Sequence, residues 1–152
     1  MAEVIVETTV KAPVNKVFLS WNDEFGDIYK YHPGLTNSYL LTDSPVKSGL
    51  GAKRHCEMSD GKNWIREKIV SVKQDEELVL DIYEGTMPVK NAVGTLQFTA
   101  IDGSKTSVKM KMSFDPKMGF LGRLMLPIMK KQFRPILQGL LESNAQYVEA
   151  KL

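Results

Sequence analysis

Apolar and polar residues alternate from Glu3 to Lys11, with Val4, Val6, Thr8 and Val10 on one side and Glu3, Glu7 and Lys11 on the other. A period of two over this length predicts a half-buried strand. Ala12-Pro13 ends it, and Pro13 suits the first turn of a helix. Val14, Val17, Phe18 and Trp21 then recur at helical spacing as far as Asn22, and a second short helical piece spans 24–31 before Pro33-Gly34 closes it. From Leu35 onward the period returns to two. Strands are predicted at 35–43, 51–58, 63–73, 77–85, 91–101 and 105–115, separated by turn-forming clusters such as Asp43-Ser44-Pro45, Ser59-Asp60-Gly61 and Asp102-Gly103-Ser104. Strands in such unbroken succession form an antiparallel meander. Beyond Asp115-Pro116 the period becomes helical, and a broad apolar stripe runs from Leu121 through Ile128, Phe133 and Leu137 to Val148. Pro127 and Pro135 lie inside this terminal helix and each removes a backbone donor, which predicts a kink or break near both.

The same alternation assigns faces. A two-residue turn at Asp60-Gly61 sets Cys56 opposite Ile65, Arg54 opposite Glu67 and Ala52 opposite Ile69. Met58 and Asn63 share that face, while Lys53, His55, Glu57, Trp64, Arg66 and Lys68 take the other. The charged set must be the wet face, since a register slip would bury it. His55 and Cys56 therefore point to opposite sides and cannot act as a catalytic pair; Cys56 reads as a small apolar filler and His55 as a solvated bystander.

Arg54 and Glu67 both look inward. A buried charge is tolerable only when paired, and even a bidentate pair seldom stabilises more than apolar residues of similar volume. Two readings stand: an ion pair that is purely structural, or the polar end of a hydrated cavity. In the last hairpin, a three-residue loop at Asp102–Ser104 matches Phe98 with Val108, Leu96 with Met110 and Gly94 with Met112, keeping Lys109 and Lys111 outside. Met125 and Met129 on the terminal helix face the same way. Methionines at such spacing fit either ordinary core or an adaptable cavity wall.

With 20 Lys plus Arg against 18 Asp plus Glu, the charge balance gives no argument for nucleic acid. A single cysteine forms no internal disulfide, two His and one Cys at no ligand spacing build no standard metal site, and no glycine-rich phosphate loop implies a nucleotide cofactor. The N-terminus lacks the marks of a signal peptide and no apolar run spans a bilayer, so a cytoplasmic protein of one domain, 1–152, is expected.

Several local signals, taken in order, resemble one family. VETTVKAPVNKVFLSW is similar to the opening strand and helix start of the START-like (helix-grip, SRPBCC) superfamily, and Gly51-Ala52-x-Arg54 with Asp60-Gly61 to its third-strand signature. Glu67-x-Ile69 resembles the fourth strand, and FDPKMGFLGRLMLPIMKKQF the lead into the last helix; the polyketide cyclase/dehydrase-like branch is the nearest. The resemblance implies an α+β helix-grip fold: a curved antiparallel seven-stranded sheet around a long C-terminal helix, two short helices between the first strands, and a cavity for an apolar ligand.

On that basis the expected function is binding of a hydrophobic small molecule with a polar or anionic end. Arg54 is the expected anchor and Glu67 its orienting partner, with Trp21, Phe25, Met58, Phe98, Met110, Met112, Met125 and Met129 as wall. The alternative is a polyketide cyclase or dehydratase using Glu67 or a tyrosine, although a carboxylate stabilised by Arg54 makes a poor base. His32, beside Pro33 at the expected mouth, fits a gating, structural or catalytic role. A third possibility is transient membrane contact through Phe120, Leu121, Leu124, Met125 and Leu126 followed by Lys130, Lys131 and Arg134, the competing reading being an ordinary core helix with a solvated face.

Overall fold

A computed structural model describes all residues, 1–152. The chain opens with β1 (Ala2–Val10), α1 (Val14–Asn22) and a 3-10 segment (Phe25–Lys30), followed by β2 (Leu35–Leu40) and β3 (Lys53–Met58). It continues through β4 (Trp64–Lys73), β5 (Glu77–Gly85), β6 (Val89–Asp102) and β7 (Lys105–Pro116) to α2 (Gly119–Glu149). The strands form one curved antiparallel sheet in the order β1-β7-β6-β5-β4-β3-β2. Only β1 leaves the meander, crossing to pair with β7. No helix is long and apolar enough to cross a membrane.

Register follows the alternation. β1 buries Val4, Val6 and Val10 and sets Val4 against Met112 and Val6 against Met110. In the β3–β4 hairpin Arg54 faces Glu67 and Cys56 faces Ile65, as the Asp60-Gly61 turn requires. β6 and β7 pair Phe98 with Val108, Leu96 with Met110 and Gly94 with Met112.

Four details depart from expectation. The β6–β7 connection is a tight turn closed by Asp102 and Lys105, and a bulge between Ala100 and Asp102 supplies the extra residue that the register demands. β2 stops at Leu40 and not at residue 43. α2 runs 31 residues without a break across Pro127 and Pro135. Both prolines are exposed, so the carbonyls they release are open to water. Finally, His55 is no solvated bystander: it is 8% exposed although it lies on the outer face. It stacks between Tyr39 and Trp64, at ring-centroid distances of 5.1 and 5.4 Å, and its Nδ1 accepts from Arg66 Nε at 3.3 Å.

The core lies between the concave side of the sheet, α1 and the C-terminal half of α2. Phe18, Leu78, Leu96 and Leu141 are its fully buried centre. α2 also protects the sheet edge, because Arg134 Nη1 donates to the Ile5 carbonyl at 2.9 Å and Gln138 Nε2 to the Glu7 carbonyl at 3.1 Å. Gly122 makes the turn from β7 into α2 possible: a Cβ there would lie 2.1 Å from the Lys117 carbonyl oxygen and 2.8 Å from Pro116 Cβ.

Candidate functional site

The polar centre starts from the β3–β4 register. Because Arg54 and Glu67 are cross-strand partners on the concave face, Arg54 Nε donates to Glu67 Oε1 at 2.9 Å and Nη2 reaches the same oxygen at 2.8 Å. The third guanidinium nitrogen is used by a distant part of the chain, Nη1 donating to the Phe25 carbonyl at 2.9 Å. The guanidinium carbon sits 4.0 Å from the centre of the Phe25 ring. Ser38 on β2 holds the 3-10 segment there: its Oγ donates to the Gly26 carbonyl at 2.8 Å and accepts from the Tyr29 N–H at 3.0 Å. Every nitrogen of the buried Arg54 is thus engaged within the protein. Burial opposes its charge, yet Glu67 and the other neighbours more than offset this and raise its pKa.

Glu67 is less completely used. Oε1 takes both Arg54 contacts and a long one from Cys56 Sγ at 3.7 Å, while Oε2 accepts no hydrogen bond. Burial pushes the Cys56 thiol up to about 12, which makes it a neutral, weak donor and not a nucleophile. His32 completes the polar set. Its Nδ1 accepts the Gly34 N–H at 3.0 Å, and burial, reinforced by Arg54 and opposed by Glu67, lowers its pKa to about 4. A neutral imidazole that accepts at Nδ1 carries its proton on Nε2, so His32 has a donor to offer and no free lone pair.

These groups line a cavity of about 400 Å³ between the sheet and α2, bounded by 27 residues of which 19 are hydrophobic. That size and composition match a small-molecule site. Ser59, Asp60 and Ile136 are exposed members of the lining and mark the mouth. Of the residues expected from sequence, Arg54, Glu67, Trp21, Met58, Met110 and Met112 line it. The others do not. Phe25 lies beneath Arg54, and Phe98 packs edge-on against Phe18 with ring centres 5.4 Å apart. Met129 is buried outside the lining, and Met125 is half exposed on the outer side of α2.

His32, expected at the mouth from its place beside Pro33, lies in the cavity wall itself. Phe133, Ile136 and Leu137 on α2, with Leu80, Ile82 and Val89 on β5 and β6, complete the apolar surface. The α2 members were visible in the apolar stripe, but nothing local separates stripe positions over the cavity from those over solid core. The indole N–H of Trp21 is buried without an acceptor.

Geometry and sequence agree on the class. The chain belongs to the family described as polyketide cyclase/dehydrase and lipid transport, whose model matches residues 1–149. Its fold is shared with a START superfamily protein from Mycobacterium smegmatis, at a TM-score of 0.80 with 12% identity over 99% of both chains. The Zhui aromatase/cyclase from Streptomyces sp. R1128 superposes with a TM-score of 0.80 and 13% identity, covering 97% of this chain and 93% of that one. Norcoclaurine synthase from Thalictrum flavum gives a TM-score of 0.76 and 14% identity over 99% of this chain and 96% of that one. No curated protein matches the sequence. The family supports a role in hydrophobic ligand binding or cyclisation.

Proposed function

We propose that this protein binds a hydrophobic small molecule whose polar end is a neutral hydrogen-bond donor, a hydroxyl above all, and carries or sequesters it. The observation behind this reading is the unshared Oε2 of Glu67 beside a fully engaged Arg54. The guanidinium already neutralises the carboxylate, so an anionic head would bring excess negative charge into an apolar site. The roles expected from sequence are therefore exchanged. Arg54 holds Glu67 in place, and Glu67 accepts from the ligand. His32 Nε2–H can donate to the same hydroxyl, which both gives and takes a hydrogen bond.

Displacement of a bound fluorescent probe by 2-naphthol and 2-naphthoate, and by dodecanol and dodecanoate, tests the head group. The alcohols are expected to bind about tenfold tighter than the acids, the size of one hydrogen bond to a charged acceptor. Glu67→Gln should reduce that ratio, a comparison that survives any general loss of affinity. Tighter binding of the acids by the unaltered protein would return the anchor role to Arg54.

The cyclase or dehydratase reading is second. Its support is the family's composition and the free Oε2, which is the one unshared carboxylate oxygen at the polar end and could take a proton from a bound substrate. Cys56 and His32 do not help, the first being a neutral thiol and the second having its acceptor nitrogen occupied. Turnover of a polyketide that vanishes in Glu67→Gln while binding persists would establish it.

A further inference from the structure

The N-terminal half of α2 carries apolar surface that neither the core nor the cavity uses. Met118, Phe120, Leu121, Leu124, Met125 and Ile128 are each between 48% and 74% exposed. At about 100° per residue, the five from Phe120 to Ile128 fall within an arc of about 140°. Gly122 and Met129, beyond the Met125 edge of the arc, are the buried positions of this stretch. This is a continuous apolar face and not scattered surface residues.

Charge adjoins it. Between Asp115 and Glu142 the sequence has five cations, Lys117, Arg123, Lys130, Lys131 and Arg134, and no acid. None of the five lies in an ion pair, whereas seven ion pairs occur elsewhere in the protein. Lys131 falls just inside the Phe120 edge of the arc and Arg134 and Arg123 about 40° and 60° beyond it; all three are exposed, and Arg134 spends one nitrogen on the Ile5 carbonyl. An apolar arc bordered by unpaired cations on one helix is the pattern of a segment lying in the plane of a bilayer interface. A second copy of the chain fits less well. In a two-fold contact the cations would meet the same cations, with no carboxylate in the segment to answer them.

We infer that the face of α2 formed by Phe120, Leu121, Leu124, Met125 and Ile128, with Arg123, Lys131 and Arg134 at its edge, docks on an anionic lipid bilayer. The apolar arc enters the headgroup boundary while the cations meet lipid phosphates and carboxylates. The arc adjoins the mouth, since Ile136 is both exposed and part of the cavity wall two turns further along the helix.

Co-sedimentation of the full chain with vesicles tests this. Phosphatidylcholine vesicles containing about a third phosphatidylserine should bind it, and pure phosphatidylcholine vesicles about tenfold less, with binding to the anionic vesicles falling as salt shortens the screening length. The variant F120S/L121S/L124S and, separately, R123E/K131E should each lower binding about tenfold while melting normally, because these side chains support no core. Failure of the unaltered protein to bind anionic vesicles would overturn the inference, as would unchanged binding by F120S/L121S/L124S. A dimer in light scattering that F120S/L121S/L124S converts to monomer would also overturn it, by assigning the face to a second copy.

Discussion

The two halves of α2 show the same apolar periodicity and meet different fates. From Leu140 to Val148 the helix is clamped: Leu140, Leu141, Asn144, Ala145 and Val148 are buried. Asn144 Nδ2 donates to Ser20 Oγ at 3.0 Å, and the Tyr31 hydroxyl donates to the Ser20 carbonyl at 3.0 Å. Tyr31 in turn touches both Trp21 and Tyr147. From Gly119 to Leu137 the helix spends most of its apolar residues on the cavity wall and on solvent, Met129 being the buried exception. An apolar stripe therefore does not say what it faces. The polar groups travelling with it do: the C-terminal half brings the Asn144 amide and the Tyr147 hydroxyl, which find side-chain partners in Ser20 and Glu24, and the N-terminal half brings cations with no carboxylate partner, of which Arg134 alone reaches a backbone carbonyl.

The largest way to break this contrast is Leu141→Ala. Leu141 is 1% exposed in the closed end, outside the cavity lining, so truncation should leave a void and lower unfolding free energy by about 2–5 kcal/mol. Denaturant unfolding measures it. A loss below about 1 kcal/mol would mean that the closed end is as loose as the open one.

Next in size is a pH effect in the cavity wall that the open half covers. The folded protein holds His32 near a pKa of about 4, against an ordinary 6.5, chiefly through burial. In that window the unfolded chain binds a proton that the folded chain refuses. Stability is thus fully present above 6.5 and falls as pH drops towards about 4, by about 3 kcal/mol in all. His32→Gln should flatten this part of the profile in denaturation midpoints measured across pH. If the two profiles fall in parallel, His32 titrates as freely in the fold as in the unfolded chain.

How much of this was legible in the sequence follows from the range of each interaction. The Arg54–Glu67 pairing was readable because one turn and a period of two determine it within 14 residues of chain. The β6–β7 register was readable for the same reason, although not the bulge that achieves it. What saturates Arg54 was hidden, since the Phe25 carbonyl comes from 29 residues away and arrives only when Ser38 ties the 3-10 segment to β2. His55 was misjudged because two neighbouring strands bury it, Tyr39 from one and Trp64 from the other, on a face whose charges argue for water. Met125 and Met129 share one stripe yet point to solvent and to the interior, a distinction that depends on how α2 lies on the sheet.

The smallest effect on stability gives the sharpest test of the open half. Gly94 sits on the concave face of β6 and lines the cavity, and a Cβ placed there meets only Met112 Cε, at an ordinary 3.4 Å. Gly94→Ile adds a β-branched side chain to a strand and restricts the unfolded chain, both favourable, while pushing carbon into space that a ligand would use. In a tightly filled core the same substitution would overpack and cost about 1–3 kcal/mol. If the cavity is open, the unfolding midpoint should therefore stay within about 1 kcal/mol of the starting protein while probe affinity drops about tenfold. Strong destabilisation with unchanged probe binding would reverse the assignment of the two halves, placing the closed packing beneath Gly94 and the ligand elsewhere.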